Sequence, residues 1–95
     1  MTMPRCKLQI VTETAQIGYT GARRIHRVVV GGQTASGKAV FDNSADGTGT
    51  VLLTVSELAN DECDIDLTTV GGLVFSTACY CTLTGTGAIA YVWWS

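Results

Sequence analysis

The sequence predicts one all-β domain spanning residues 1–95: an antiparallel β-sandwich of about eight short strands, of jelly-roll type. Three observations predict it. Apolar and polar residues alternate with period two in several segments, as one core face and one wet face of an antiparallel sheet require. Turn-forming clusters separate those segments at intervals of about 8–12 residues. The eleven glycines fall almost entirely in the joints between them. A small closed barrel is the other arrangement such a pattern allows.

The first strand is read from Cys6, Leu8 and Ile10, which alternate with Arg5, Lys7 and Gln9 and so form the expected core face. A second follows at about 23–30, closed by Gly31-Gly32, and a third at about 38–42, closed by the polar run Asn43 to Gly49. Val51, Leu53 and Val55 alternate with Thr50, Thr54 and Ser56, interrupted only by Leu52. Ser56 to Asp61 is the one candidate for a helix, a single turn at most. Cys63, Ile65 and Leu67 against Asp64, Asp66 and Thr68 give the cleanest alternation in the chain. Further strands are expected at about 73–76, 78–84 and 88–94, with Gly71-Gly72 and Gly85-Thr86-Gly87 as turns.

The net charge of −2 conceals a split. Residues 1–38 hold all six bases (Arg5, Lys7, Arg23, Arg24, Arg27 and Lys38) against Glu13 alone, a net +5. Residues 39–95 hold seven acids and no base, a net −7, and the 29 residues after Asp66 carry no charged side chain. In that last third an outward face of Ala78, Tyr80, Thr82 and Thr84 is expected to be bare in a monomer. Self-assembly would cover it, with oppositely charged segments of neighbours in contact. No run of about 20 apolar residues spans a bilayer, and no hydrophobic stretch behind the N-terminus marks a secretory signal. The reading is a protein folded in a cytoplasm, with no membrane partner.

The chemistry-bearing residues point away from catalysis. Cys79-Tyr80-Cys81 is C-x-C rather than the C-x₂-C knuckle of zinc sites. With Cys6 and Cys63 it falls on the apolar registers, so all four cysteines read as small core residues. Asp42-Asn43-Ser44-Ala45-Asp46-Gly47 begins like a calcium loop, but the twelfth position, where a bidentate Glu belongs, is Leu53. Side-chain-capped turns explain the same residues. No metal or cofactor is expected.

Asp61, Glu62, Asp64 and Asp66 read as an acidic outer edge suited to docking a basic surface. Arg23, Arg24 and Arg27, with His26, form the one basic cluster, and strand geometry sends them to both faces unless a bulge intervenes. Nucleic-acid binding would need more basic charge with aromatics beside it, so none is expected. There is no nucleophile elbow, phosphate loop or dinucleotide fingerprint, so the chain is not read as an enzyme. Trp93 and Trp94 point to opposite faces: one completes the core, and the other, with Tyr80, is available to a partner or a sugar ring.

The segments 22–30, Gly37-Lys38-Ala39-Val40-Phe41-Asp42-Asn43-Ser44, Gly49-Thr50-Val51-Leu52-Leu53 and Leu73-Val74-Phe75-Ser76-Thr77-Ala78-Cys79-Tyr80-Cys81-Thr82-Leu83-Thr84-Gly85 resemble small virion proteins of tailed bacteriophages. In those, a strand ending in Asp-x-[Thr/Ser] leads through a polar loop to an aliphatic strand. A hairpin containing Phe-x-Thr-Gly and Leu-Thr-Gly follows, then a final strand. The likeness covers about 22–94. It departs where Ala78 stands for the usual Gly and Cys79-Tyr80-Cys81 for an aliphatic run. The resemblance implies a structural protein of the virion, most simply a capsid decoration or cement protein. Such a protein binds the major capsid protein or another virion protein, as a homo-oligomer and most simply a homotrimer. The alternative it implies is a carbohydrate- or receptor-binding module of a tail or fibre.

Overall fold

The computed structural model describes residues 6–95, so Arg5 lies outside the described residues. In chain order the strands are β1 (Lys7–Val11), β2 (Ala15–Gln16), β3 (Arg23–Gly31), β4 (Gly37–Asp42), β5 (Val51–Glu57), β6 (Cys63–Asp66), β7 (Leu73–Phe75), β8 (Tyr80–Thr84) and β9 (Ile89–Trp94). They form two antiparallel sheets. The first runs β1-β9-β3-β6, with β7 paired to the opening residues of β3, and the second runs β2-β8-β4-β5. The molecule measures 33 × 32 × 18 Å, and the short dimension suits two sheets about 10 Å apart with side chains on their outer surfaces. This is the expected β-sandwich.

Between the sheets lie Ile25, Val28, Val30, Phe75, Ala90, Val92 and Trp94 from the first sheet, and Ala39, Phe41, Val55 and Cys81 from the second. Phe41 and Phe75 are fully buried, each contributing about 1.5–3 kcal/mol of apolar transfer. Ile17, in the loop after β2, closes one side and is held by its amide donating to the Cys79 carbonyl at 2.8 Å.

Strand β3 contains a bulge. Its pairing with β9 passes from Ile25 opposite Trp94 to Arg27 opposite Trp93, leaving His26 as the extra residue. The bulge resets the alternation, so Arg23 and Ile25 before it, and Val28 and Val30 after it, all face the core. It resolves the difficulty of a basic cluster on a core strand: Arg24 and Arg27 both reach the outer surface.

Strand β1 reverses the expected faces. Val11 is opposite Ala90 and Gln9 opposite Val92, both core residues, so Leu8 and Ile10 point outward at 50% and 56% exposure. Gln9 faces inward because both ends of its amide are bonded there. Its Nε2 donates to the Gln16 carbonyl at 3.0 Å, and its Oε1 accepts from the Gly18 amide at 2.7 Å. A polar residue so satisfied can occupy an inner position.

The expected helical turn over 56–61 is instead the end of β5 followed by a turn with Asn60 at φ 62°. Buried Gln33 organises it, its Nε2 donating to the carbonyls of Leu58 (2.7 Å) and Asp61 (2.9 Å). A single 3₁₀ turn occurs instead at Thr68–Val70, ended by Gly71 in the left-handed region at φ 82°. In the second sheet, Ala78 is fully buried rather than outward. The outer face there carries Thr82, Thr84, Thr54, Ser56 and Lys38 around Val40, with Tyr80 and exposed Val51 beyond Asp42 and exposed Leu52 at the bulge in β5. Of the expected outward face, Tyr80, Thr82 and Thr84 do lie on the outer surface, without charge, and only Ala78 departs from it.

Candidate functional site

The outer face of the first sheet is the unusual surface. Direct cross-strand partners share a face, and the register defines its rows. Leu8, Trp93, Arg27 and Asp66 form one row across β1, β9, β3 and β6, and Ile10, Tyr91, Val29 and Asp64 form the next. Ile89 opposite Gly31 begins a third. The strip over β1 and β9, with Val29 of β3, is thus Leu8, Ile10, Tyr91, Trp93, Ile89 and Val29, and β3 adds Arg27 beside β6 and Arg24 beside β7.

The β9 sequence explains why this face is apolar. Ala90, Val92 and Trp94 fill the core while Ile89, Tyr91 and Trp93 occupy the opposite surface. A strand apolar on both faces is one built to be covered on both. The same holds for Val28, Val29 and Val30 in β3.

At the β6 margin the charges are matched. Arg27 forms a two-pronged ion pair with Asp64, donating through Nε at 2.9 Å and through a second guanidinium nitrogen. The pair holds the Asp64 carboxyl below the usual carboxylate range and raises Arg27. Arg27 also lies 5.3 Å from the Trp93 ring centroid, anchoring the indole on the surface. Asp66 accepts from the Thr68 amide (2.9 Å) and hydroxyl (2.5 Å), so it serves as a turn cap and its pKa is lowered. One contact between the basic and acidic halves of the sequence is therefore made within the chain.

The other expected site residues are dispersed. Arg23 is buried, its guanidinium 3.7 Å from the Tyr19 ring centroid and 5.2 Å from that of Trp94, donating to the Tyr19 carbonyl at 2.6 Å. It is a packing residue and not an available interaction residue. Trp94 is likewise part of the core, which leaves Trp93 as the tryptophan on the outer face. Arg24 is exposed on the outer face beside Val74 and donates to the Gly71 carbonyl at 2.6 Å. Asp61 and Glu62 are exposed in the loop before β6. Tyr80 is half-buried in the second sheet, against Gly47, and is not part of this face.

The Asp42–Gly47 loop is closed by its own hydrogen bonds. Ser44 Oγ donates to Asp42 (2.5 Å) and accepts from the Gly47 amide (2.9 Å), while Asp46 accepts from the Thr48 amide and hydroxyl. Asn43 crosses to the 76–78 segment, its Oδ1 accepting from the Thr77 amide at 2.8 Å. Among the described residues no three His, Cys, Asp or Glu side chains gather as a metal site. Burial pushes the Cys79 and Cys81 thiols up to about 12, so both remain protonated packing residues. Cys63 is only half-buried, and so is Cys6. A groove of about 430 Å³ at one end of the second sheet has Lys38 and Glu57 as its ionisable side chains.

The sequence reading missed Leu8, Ile10, Val29, Ile89 and Tyr91 as surface residues. The available signal was the two-sided hydrophobicity of 28–30 and 89–94. Comparison with protein-family models, with curated proteins and with solved structures finds no match to this chain.

Proposed function

We propose that this chain is a bacteriophage virion structural protein, a decoration or cement protein that binds an assembled capsid shell as a homo-oligomer. The observation that carries the reading is the apolar strip over β1 and β9 on the outer face of the first sheet. A monomer leaves Leu8 and Ile10 exposed beside half-buried Tyr91 and Trp93, an apolar surface of the kind that marks contact between proteins. The strand order β1-β9-β3-β6 against β2-β8-β4-β5, with most connections crossing between sheets, supports a jelly roll and fits the resemblance to small phage virion proteins. Binding rather than catalysis is the chemistry such a surface offers.

The test is co-sedimentation with the major capsid protein of the same phage, as assembled shells and as free subunits. The reading expects the chain to pellet with shells in a fixed, saturable ratio and not to bind free subunits. Failure to bind shells, with quenching of Trp93 by a soluble saccharide, would overturn it in favour of a carbohydrate-binding tail module.

A further inference from the structure

The charge split of the sequence becomes, in the first sheet, a difference between its two ends. Arg23 and Arg24 open β3 at the end where Val74 of β7 pairs with Arg24. Ser95, just after β9, exchanges two backbone hydrogen bonds of 2.9 Å with Arg24 there. Lys7 of β1, opposite Trp94, brings a third base to the same end. Asp61 and Glu62 precede β6, whose first residue Cys63 lies opposite Val30, toward the other end of β3. We infer that the basic end is a binding site for an oxyanion, the phosphate or carboxylate group of a small ligand, held in the pocket lined by Ala22, Arg23, Arg24, Val74 and Ser95. The inference does not rest on the function proposed above.

The positive charge at this end is uncompensated. All eight carboxylate side chains of the sequence belong to described residues, and residues 1–5 contain no acid. The one ion pair among the described residues is Arg27–Asp64, so no carboxylate oxygen lies within 4.0 Å of Arg23, Arg24 or Lys7. Asp42 and Asp46, in and after the end of β4, accept instead from Ser44 and Thr48. The deficit is most costly at Arg23, which is only 7% exposed. The carbonyls of Tyr19 and Ala22 take its terminal nitrogens, and its Nε has no hydrogen-bond partner. A buried charge without a counter-charge is expensive, and an anion close by offsets it.

The pocket gives such an anion its place. Successive strand residues point to opposite faces, so a group at the rim of β3 meets positive charge from both sides. Arg23 stays enclosed and acts through its charge alone. Arg24 is exposed and donates one hydrogen bond, to the Gly71 carbonyl at 2.6 Å, which leaves guanidinium donors for an oxyanion. Ser95 supplies a hydroxyl, fixed by His26 Nε2 at 2.8 Å. At about 250 Å³ the pocket is smaller than sites for drug-sized molecules and suits a small ion.

Solution NMR of the intact chain is the test, with inorganic phosphate and acetate as probes, each titrated at constant ionic strength against chloride. Saturable shifts of the Arg24, Val74 and Ser95 amides are expected with at least one of the two. Saturation by phosphate alone assigns the site to phosphoryl groups, and by acetate alone to carboxylates. The single histidine gives a second reading. An anion beside Arg24 offsets a charge that disfavours the imidazolium, so His26 should titrate at higher pH with the oxyanion bound than in chloride. Arg24→Gln, its fold confirmed by the amide spectrum, should weaken binding by about tenfold or more, and Arg24→Lys should recover part of the loss. Lys38→Gln removes an equal charge from the second sheet and should bind as the native chain does. No saturable shift with either oxyanion would overturn the inference. Equal weakening in Lys38→Gln would also overturn it, since net charge and not this pocket would then hold the anion.

Discussion

His26 shows how one residue joins backbone irregularity to packing. It is the extra residue of the β3 bulge, almost fully buried, and its Nε2 lies 2.8 Å from the Ser95 hydroxyl, which ties the last residue to the first sheet. Its Nδ1 has no hydrogen-bond partner in the structure. Burial first, and the nearby Arg24 charge second, disfavour the imidazolium and lower its pKa from the ordinary 6.5. The unfolded chain therefore binds more protons near and below that value, and stability rises with pH. The contribution is complete above 6.5 and is lost as pH falls below it toward the folded-state value. Denaturant midpoints should thus decline from neutral pH to about 5, and His26→Gln should flatten that decline. The lowered carboxyls of Asp46, Asp64 and Asp66 act in a separate window, below about 4. An identical pH slope in His26→Gln would show that another group is responsible.

At the scale of the element, alternation identified strands but did not orient all of them. For β6 it did: Cys63 and Ile65 face the core and Asp64 and Asp66 face water. For β1 the same pattern pointed the wrong way, because Leu8 and Ile10 differ from Lys7 and Gln9 only in polarity, and polarity alone does not say which face a partner will cover. What oriented β1 is Gln9, whose inward amide joins β1 to Gln16 and Gly18 through contacts distant in sequence and invisible to local periodicity. Gln9→Ala should accordingly cost about 0.5–1.5 kcal/mol, the net worth of hydrogen bonds whose Gln16 carbonyl and Gly18 amide water can reach. Urea unfolding of the two proteins at matched concentration measures this. A change under about half a kcal/mol would mean that the amide does not hold the strand. Strand β2 and the 3₁₀ turn were illegible for a simpler reason: two and three residues carry no period. The Gln33-centred turn escaped notice because its organising residue lies more than 20 positions upstream.

On the scale of the whole molecule, the charge split is only partly an external feature, since Arg27 and Asp64 bring the two halves together inside one sheet. The apolar strip beside that pair draws on both β1 and β9, the first and last of the described strands. The uncharged C-terminal third was legible as a region with little charge to hydrate it, but its hydroxyl-bearing strand β8 is the wetter part, and β9 is the part with apolar residues on both faces. The two tryptophans make this directly measurable. Trp94 is buried within the chain and should emit alike at every concentration. Trp93 is half-buried on the outer face and should report on whatever covers it. Emission recorded across a dilution series from high micromolar to low nanomolar concentration should move to longer wavelength as Trp93 loses its neighbours. Emission already characteristic of a hydrated indole, and constant from one end of the series to the other, would contradict the claim that this face is buried by protein.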